Sequence, residues 1–166
     1  MILRISQKLC AKIKAGTLGE MPLHKNPYAD WSCRLFTVNH TQYIILSNTS
    51  SLYSCLLLGK GITDNRLFIE RALGTIREFM EDDGQQFAYR KFVAPVRDTA
   101  SLAKALNRSV TGSMNDLVFG AKWFLADGMP LYEVSRRVNE TPLGALGYAN
   151  PKEAFQTLGN RTEEKQ

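Results

Sequence analysis

Histidine is almost missing from this chain, and cysteine is rare. The 166 residues include 2 histidines, His24 and His40, and 3 cysteines. No C-x-x-C or H-E-x-x-H spacing occurs, so the common zinc sites are not indicated, although a site built from carboxylates alone stays open. The sequence also has no G-x-S-x-G elbow, Walker loop or dinucleotide-binding glycine motif. We therefore predict no metal and no cofactor, and the ordinary catalytic signatures are missing.

Long apolar runs are missing as well. The longest apolar stretch, Leu52 to Leu58, is interrupted by tyrosine, serine and cysteine and is far too short to cross a membrane. The first five residues do not form the apolar core of a signal peptide. Cys10, Cys33 and Cys55 are odd in number and widely spaced, which is typical of unbridged thiols in a reducing compartment. We expect a cytoplasmic protein with no membrane partner.

Charge of one sign is not concentrated anywhere in the sequence. The chain has 21 Lys and Arg against 16 Asp and Glu, which gives a net charge of +5 and a pI near 9.2. No run of five or more basic residues occurs. This balance favours an acidic partner, either protein or nucleic acid, or else it only supports solubility.

The remaining composition is that of a globular protein. The chain is 44% hydrophobic and 22% charged, which excludes disorder for most of its length. Its length suits one domain. We predict a single domain over residues 1–159, followed by a frayed polar tail over residues 160–166.

Hydrophobic alternation predicts strands in the first part of the chain. Apolar and polar residues alternate from Trp31 to Val38, and a returning strand is predicted from Tyr43 to Leu46. Asn39 and His40 between them suit a tight turn, so these two segments are predicted to pair antiparallel. Further extended segments are predicted at Ile2–Ile5, Leu52–Leu58 and Lys91–Val96.

Helical periodicity dominates the second part. One helix is capped by Ser6, a longer one starts at Thr63 and Asp64 and ends at Gly84, and another starts near Ser113. Further helical segments are predicted at 101–106 (a short helix or turn), 131–138 and from Pro151. Strands early and helices late indicate the α+β class, with a small antiparallel sheet from the N-terminal half packed with helices mostly from the C-terminal half.

The segment from Asn107 to Asp116 is the most organised part of the sequence. Ser113 and Asp116 have the spacing of a helix-capping pair, and that interpretation needs no function. It does not account for the arginine and hydroxyls beside them, which could hold a phosphate or carboxylate at a helix N-terminus. Capping alone and an anion or partner site both stay open. The candidate binding residues are Arg108, Ser109, Thr111, Ser113, Asn115 and Asp116.

A second organised segment, from Arg136 to Phe155, contains two prolines and two glycines. These residues predict a compact turn between helices, pinned to the core by its leucines and aromatic residues. The structural role, a cap on the C-terminal helices, is the interpretation that we favour.

These motifs resemble a bacterial family known only as a domain of unknown function, over nearly the whole chain. The most specific part is the nearly contiguous N-R-S-V-x-G-S-M-N-D-L motif. The resemblance implies bacterial origin and a single cytoplasmic domain, but it implies no activity. It is carried by Met1–Arg4 with Gln7–Leu9, by 48–54, by Asn107–Val110 with Gly112–Leu117, and by 139–142 with 146–148.

A second, local resemblance covers the end of the chain. The pattern from Asn139 to Phe155 is similar to the tail that closes the integrase core of insertion-sequence transposases. The first strand, Ile2–Ile5, lacks the catalytic acid that this family carries there, and Asp30, Asp64 and Asp116 lie in predicted loop or cap positions. The likeness therefore indicates a shared turn-and-helix arrangement rather than a transposase.

Two classes of function follow. The first is a non-catalytic binding module, from a mobile or defence element, that holds an acidic partner near Arg108. The second is a small enzyme acting on a phosphate-bearing substrate through Arg108, Ser109, Asn115 and Asp116. The shortage of histidine, cysteine and paired carboxylates in recognisable spacing favours binding. A deep pocket lined by those four side chains would favour the enzyme.

Overall fold

Five strands form one sheet, and helices cover both of its faces. The structure is a computed structural model that describes the backbone of residues 1–163 and the side chains of residues 1–160. The strands are β1 Ile2–Ile5, β2 Asp30–Val38, β3 Thr41–Asn48, β4 Ser54–Leu58 and β5 Ser101–Lys104. The α-helices are α1 Gln7–Ile13, α2 Asn65–Asp82, α3 Gln86–Ala88, α4 Arg108–Ala126, α5 Leu131–Glu140, α6 Pro151–Gln156 and α7 Leu158–Glu163.

The sheet has the strand order β4-β3-β2-β1-β5. The predicted hairpin is confirmed, with Trp31 opposite Asn48 and Val38 opposite Thr41. The turn residues have φ values of 49° and 65°, the left-handed pair that a two-residue type I′ hairpin turn needs. The α+β class is confirmed, but the sheet is mixed. β1 runs parallel to both of its neighbours, because α1 carries the chain across one face before β2 begins.

Alternation along the strands divides the core between the two faces. Odd-numbered residues of β2, such as Trp31 and Cys33, lie in the larger hydrophobic cluster with α1, α2 and α6. Phe36, in contrast, packs with Ile45 and the buried side of α4 and α5. Helices therefore cover both faces of the sheet. Burial of one large apolar side chain in these clusters stabilises the fold by about 1.5–3 kcal/mol.

Two local predictions are wrong. Residues 91–96 are not extended: Tyr89–Val93 is a π-helical turn and Ala94–Thr99 a 3-10 turn with a proline in its first turn, where the missing N–H is harmless. Ser101–Lys104, predicted as a short helix or turn, is strand β5, because pairing with β1 overrides its local preference.

The cysteines and the C-terminal segment follow the sequence predictions more closely. Cys10, Cys33 and Cys55 are free thiols. The last predicted helix opens at Asn150 with a complete capping box, in which Glu153 reaches back to the cap residue. The predicted tail, 160–166, begins inside α7, and most of it lies outside the residues whose side chains are described. None of the helices in the described chain combines the length and the apolar character that crossing a bilayer requires.

Candidate functional site

Helix α4 begins five residues earlier than the sequence predicts. Its N-cap is Asn107, whose side chain accepts a hydrogen bond of 3.0 Å from the Val110 N–H. Ser113 lies inside the helix, and its hydroxyl donates to the Ser109 carbonyl at 3.1 Å. The prediction that Ser113 caps this helix is therefore wrong. Asparagine ranks among the best N-cap residues, and Asn107 takes that role instead.

The early start of α4 spreads the six predicted binding residues around its axis. Thr111 lines a large cleft, although its hydroxyl is engaged with the Asn107 carbonyl at 3.1 Å. Asn115 lies at the rim of that cleft and accepts a hydrogen bond from Arg34 of β2. The four others, Arg108, Ser109, Ser113 and Asp116, do not line it. The helix thus separates residues that are neighbours in the sequence.

The cleft lies beyond the carboxyl end of β1, between α1 on one side and α4 on the other. It has a volume of about 850 Å³. One wall is formed by Ser6, the N-cap of α1, together with Lys8 and Ala11 of that helix. The opposite wall is formed by apolar and basic residues of α4 such as Met114 and Lys122. Carboxyl ends of parallel strands are where open sheets commonly bind ligands. This cleft is the candidate functional site, and we call it the basic cleft.

Its charge is of one sign. Lys8, Arg34 and Lys122 line it, and no carboxylate does so among the described residues. Lys8 and Lys122 are exposed, and neither has a hydrogen-bond or ion-pair partner in the described part of the chain. Arg34 is half-buried and donates to Asn115, and its other guanidinium N–H groups have no partner among the residues whose side chains are described. The basic cleft therefore carries unneutralised positive charge.

A fourth cation in the cleft, Arg4, is fully neutralised. It is 1% exposed and forms a two-pronged ion pair with Asp30, with Nε–Oδ1 at 2.8 Å and Nη2–Oδ2 at 2.7 Å. Two further N–H groups of Arg4 donate to the carbonyls of Met21 and Pro22 at 2.7 and 2.9 Å. Arg4 thus fixes the floor of the cleft and ties the loop before β2 to it, rather than offering charge to a ligand.

Asp30 is held ionised by the same network. Burial alone would raise the pKa of Asp30, but the hydrogen bonds from Arg4, the His24 N–H and the Thr49 hydroxyl outweigh it and hold the pKa below the ordinary value. The backbone N–H of His24 donates at 3.0 Å and the Thr49 hydroxyl at 2.7 Å. The His24 imidazole Nδ1 also accepts a hydrogen bond from the Asn26 N–H at 3.0 Å. Backbone and side chain of His24 therefore both order the loop before β2, and His24 does not line the cleft.

Cys33 also lines the cleft, but its thiol is unreactive. The thiol is 2% exposed, and burial raises the pKa of Cys33 well above its ordinary value. A protonated thiol is a poor nucleophile and a poor metal ligand. The prediction that this cysteine packs as a small apolar residue fits its surroundings.

The backbone of β2 is open to the basic cleft. β1 is 4 residues long and β2 is 9, and their pairing ends where Ile5 meets Cys33. Beyond Cys33, β2 has β3 on one side, and on the other side no strand among residues 1–163. The segment from Arg34 to Thr37, which we call the open edge, therefore lines the cleft with backbone groups as well as side chains.

The outer edge of β4, in contrast, is closed by side chains of α5. Asn139, which is 1% exposed, accepts from the Ser54 N–H and donates to the Ser54 carbonyl, both at 2.7 Å. The Ser135 hydroxyl accepts from the Leu56 N–H at 3.1 Å. Asn139 and Ser135 thus take the place of a neighbouring strand. The segment that starts at Arg136 was predicted only to cap the C-terminal helices, and its closure of β4 through Asn139 is an additional structural role.

Fold and cleft define an α+β protein in which a mixed sheet keeps one strand edge open inside a basic cleft. The chain belongs to the family DUF6933, a domain of unknown function, whose model matches residues 2–154. The predicted membership in an uncharacterised family is therefore confirmed. No curated protein and no solved structure matches the chain. Bacterial origin, a mobile or defence element, and the likeness to integrase tails stay predictions.

Sequence reasoning missed the residues that define the cleft. Lys8 and Lys122 are single cations on predicted helices, and nothing in their neighbourhood distinguishes them. Arg34 could have been noticed in the sequence, because it is the one basic residue in the predicted strand from Trp31 to Val38. The unequal lengths of β1 and β2 could also have been noticed, since a long strand beside a short one leaves an unpaired edge.

Proposed function

We propose that the protein is a non-catalytic binding module that holds an acidic partner in the basic cleft. The observation that carries the proposal is the charge of this cleft: Lys8, Arg34 and Lys122 line it without a carboxylate among the described residues. Such a concave surface of one sign attracts an anionic group and excludes a cationic one. The proposed compartment is the cytoplasm, which suits three free thiols.

Apolar groups share the cleft with the cations. Phe36, Met114 and Val118 lie among its lining residues. Binding sites commonly combine an apolar surface with a few placed polar groups, which fix the orientation of the ligand. The expected partner therefore carries acidic groups beside apolar ones.

The enzyme alternative, action on a phosphate-bearing substrate, depended on a pocket lined by Arg108, Ser109, Asn115 and Asp116. None of these side chains lines the basic cleft, although Asn115 orients Arg34 at its rim. The geometry of the cleft therefore does not support the enzyme alternative, and binding is the better-supported proposal.

Fluorescence anisotropy with two labelled polyanions tests the proposal. One probe is a peptide of alternating glutamate and valine, and the other is a short oligothymidylate. Arg34→Gln and Lys122→Gln are each expected to lower the affinity for the probe by roughly ten-fold or more, since a charged hydrogen bond contributes about 1.5–3 kcal/mol. Higher salt should weaken binding further.

Matched controls remove the same charges elsewhere. Arg71→Gln changes an exposed arginine of α2, and Lys60→Gln changes an exposed lysine before that helix. Both variants should bind like the native protein. If neither polyanion binds, or if the controls weaken binding as much as the cleft variants, the proposed function is wrong.

A further inference from the structure

We propose that the partner is an acidic polypeptide segment that adds to β2 as an extended strand along the open edge. The proposal rests on the proposed function and specifies the chemistry of the partner. It depends on backbone groups that point into the cleft, on the charge around them, and on the walls that α1 and α4 place on either side.

Strand geometry decides which backbone groups point into the cleft. Successive residues of a strand direct their N–H and carbonyl groups to alternate sides. The Cys33 carbonyl accepts from the Ser6 N–H at 3.1 Å, so Cys33 faces the side of β1. The Asp30 carbonyl accepts from the Thr49 N–H at 2.9 Å, so even-numbered residues face β3. Leu35 and Thr37 must therefore face the cleft.

These two residues offer an unused set of donors and acceptors. Past the end of β1, the N–H and carbonyl groups of Leu35 and Thr37 have no hydrogen-bond partner in the described part of the chain. Donor and acceptor alternate along the strand with the repeat of a polypeptide backbone. An added strand satisfies both kinds of group, which is the basis of recognition by strand addition.

The side chains around the edge select for acidic residues. On the α4 side, Arg34 and Lys122 would face alternate side chains of the added strand. On the α1 side, Lys8 and Ala11 line the cleft. Met114 and Val118 are 4% and 7% exposed and form an apolar inner surface of the cleft. Acidic residues interspersed with apolar ones therefore complement this lining, whereas a basic segment would be repelled.

A nucleic acid fits the same cleft less well. Its phosphates could pair with the three cations, but the sugar-phosphate backbone has no row of N–H donors to meet the Leu35 and Thr37 carbonyls. Single strands are usually held by exposed aromatic rings on which bases stack. The exposed rings of α4, Phe119 and Trp123, are 67% and 65% accessible and do not line the cleft.

Amide hydrogen exchange, followed by NMR on the labelled full chain, tests the proposal directly. The probe is the glutamate–valine peptide. At saturation, exchange at the Leu35 and Thr37 amides is expected to slow at least roughly ten-fold, because these N–H groups become hydrogen-bonded. Arg34 and Phe36 are internal controls, since their N–H groups already bond to β3 and should change little.

A modified probe supplies a second measurement that needs no variant of the protein. Methylation of alternate backbone nitrogens removes donors from one edge of the peptide and leaves its charge unchanged. Of the two alternating patterns, the one that blocks the β2-facing nitrogens should weaken binding by roughly ten-fold or more relative to the other. Oligothymidylate should cause no protection at Leu35 and Thr37.

The outcomes separate this proposal from the proposed function. If the peptide binds through Arg34 but leaves Leu35 and Thr37 unprotected, strand addition is overturned and acidic binding stands. If oligothymidylate binds through Arg34 and the peptide does not, the partner is a nucleic acid. That result becomes firmer if Phe119→Ala and Trp123→Ala also weaken binding. If neither probe binds, both proposals fail.

Discussion

The outer edge of β4 and the open edge of β2 differ in whether their backbone groups are hydrogen-bonded. Along β4, Asn139 satisfies both backbone groups of Ser54, and Ser135 satisfies the Leu56 N–H. Along β2, the corresponding groups of Leu35 and Thr37 face a cleft without partners in the described chain. A buried edge must be satisfied internally, because an unpaired polar group away from water destabilises the fold. An edge in an open cleft can be kept for a partner.

The largest expected effect concerns the floor beneath the open edge. Asp30→Asn should lower the free energy of unfolding by about 3–5 kcal/mol, because it leaves the buried Arg4 cation without its counter-charge. Urea denaturation measures the loss. Asp98→Asn, at an exposed position, is the matched control and should change stability by less than about 0.5 kcal/mol. A similar small loss for both variants would mean that the floor does not depend on this pair.

The second largest effect on stability is expected at the outer edge of β4, which Asn139 closes. Asn139→Ala should destabilise the protein by about 2–4 kcal/mol, since the Ser54 N–H and carbonyl both lose their partner while buried. Thermal and urea unfolding report the change. Asn65→Ala, at an exposed position of α2, should be nearly neutral. If Asn139→Ala is equally mild, the side-chain seal is not what protects β4.

The pH dependence of the free energy of unfolding tests the role of the Asp30 carboxylate. Its pKa is lowered in the folded protein, so its contribution to stability is complete above the unfolded-state pKa of about 3.9 and is lost as the pH falls through the folded value. The native protein should therefore lose stability steeply below about pH 4. In Asp30→Asn this part of the pH dependence should vanish. Parallel urea curves between neutral and acid pH provide the test, and unchanged steepness in the variant would contradict it.

A smaller effect is expected at Ser135. Ser135→Ala removes one acceptor from the Leu56 N–H and should cost about 1 kcal/mol, less than Asn139→Ala. If the edge relaxes once one contact is gone, the double variant should lose less unfolding free energy than the two single variants combined. A double-mutant cycle measures that coupling.

The smallest expected difference is kinetic and needs no substitution. Without any ligand, the Leu35 and Thr37 amides should exchange faster than those of Arg34 and Phe36, which bond to β3. The Ser54 and Leu56 amides should be protected like the latter pair, because α5 accepts from them. Equal exchange at all four β2 positions would show that the edge is not open in solution.

Local patterns predicted most elements of the fold, since they depend on neighbours in the sequence. The hairpin around Asn39 and His40, the cap at Ser6 and the helix from Asp64 need only alternation, turn chemistry and periodicity. β5 could not be found in this way, because Leu102 and its neighbours become a strand only beside β1. The parallel placement of β1 has the same long-range origin.

The candidate site was predicted less well than the fold. The motif around Arg108 attracted attention because its residues are adjacent, but a helix distributes adjacent residues around its axis. The basic cleft joins Lys8, Arg34 and Lys122 from three separated elements. Their proximity follows from the packing of α1 and α4 on either side of β2, which single-sequence patterns do not encode.

The position of β1 has a consequence for synthesis on the ribosome. Ile2 pairs with Asp30 on one side and with Ser101 on the other. β1 thus cannot gain its second neighbour until the chain has been made as far as β5. Long sequence separation between paired strands slows folding. The nascent protein must therefore wait for β5 and α4 before its cleft has two walls, so the proposed partner finds no complete binding surface until both elements have been made.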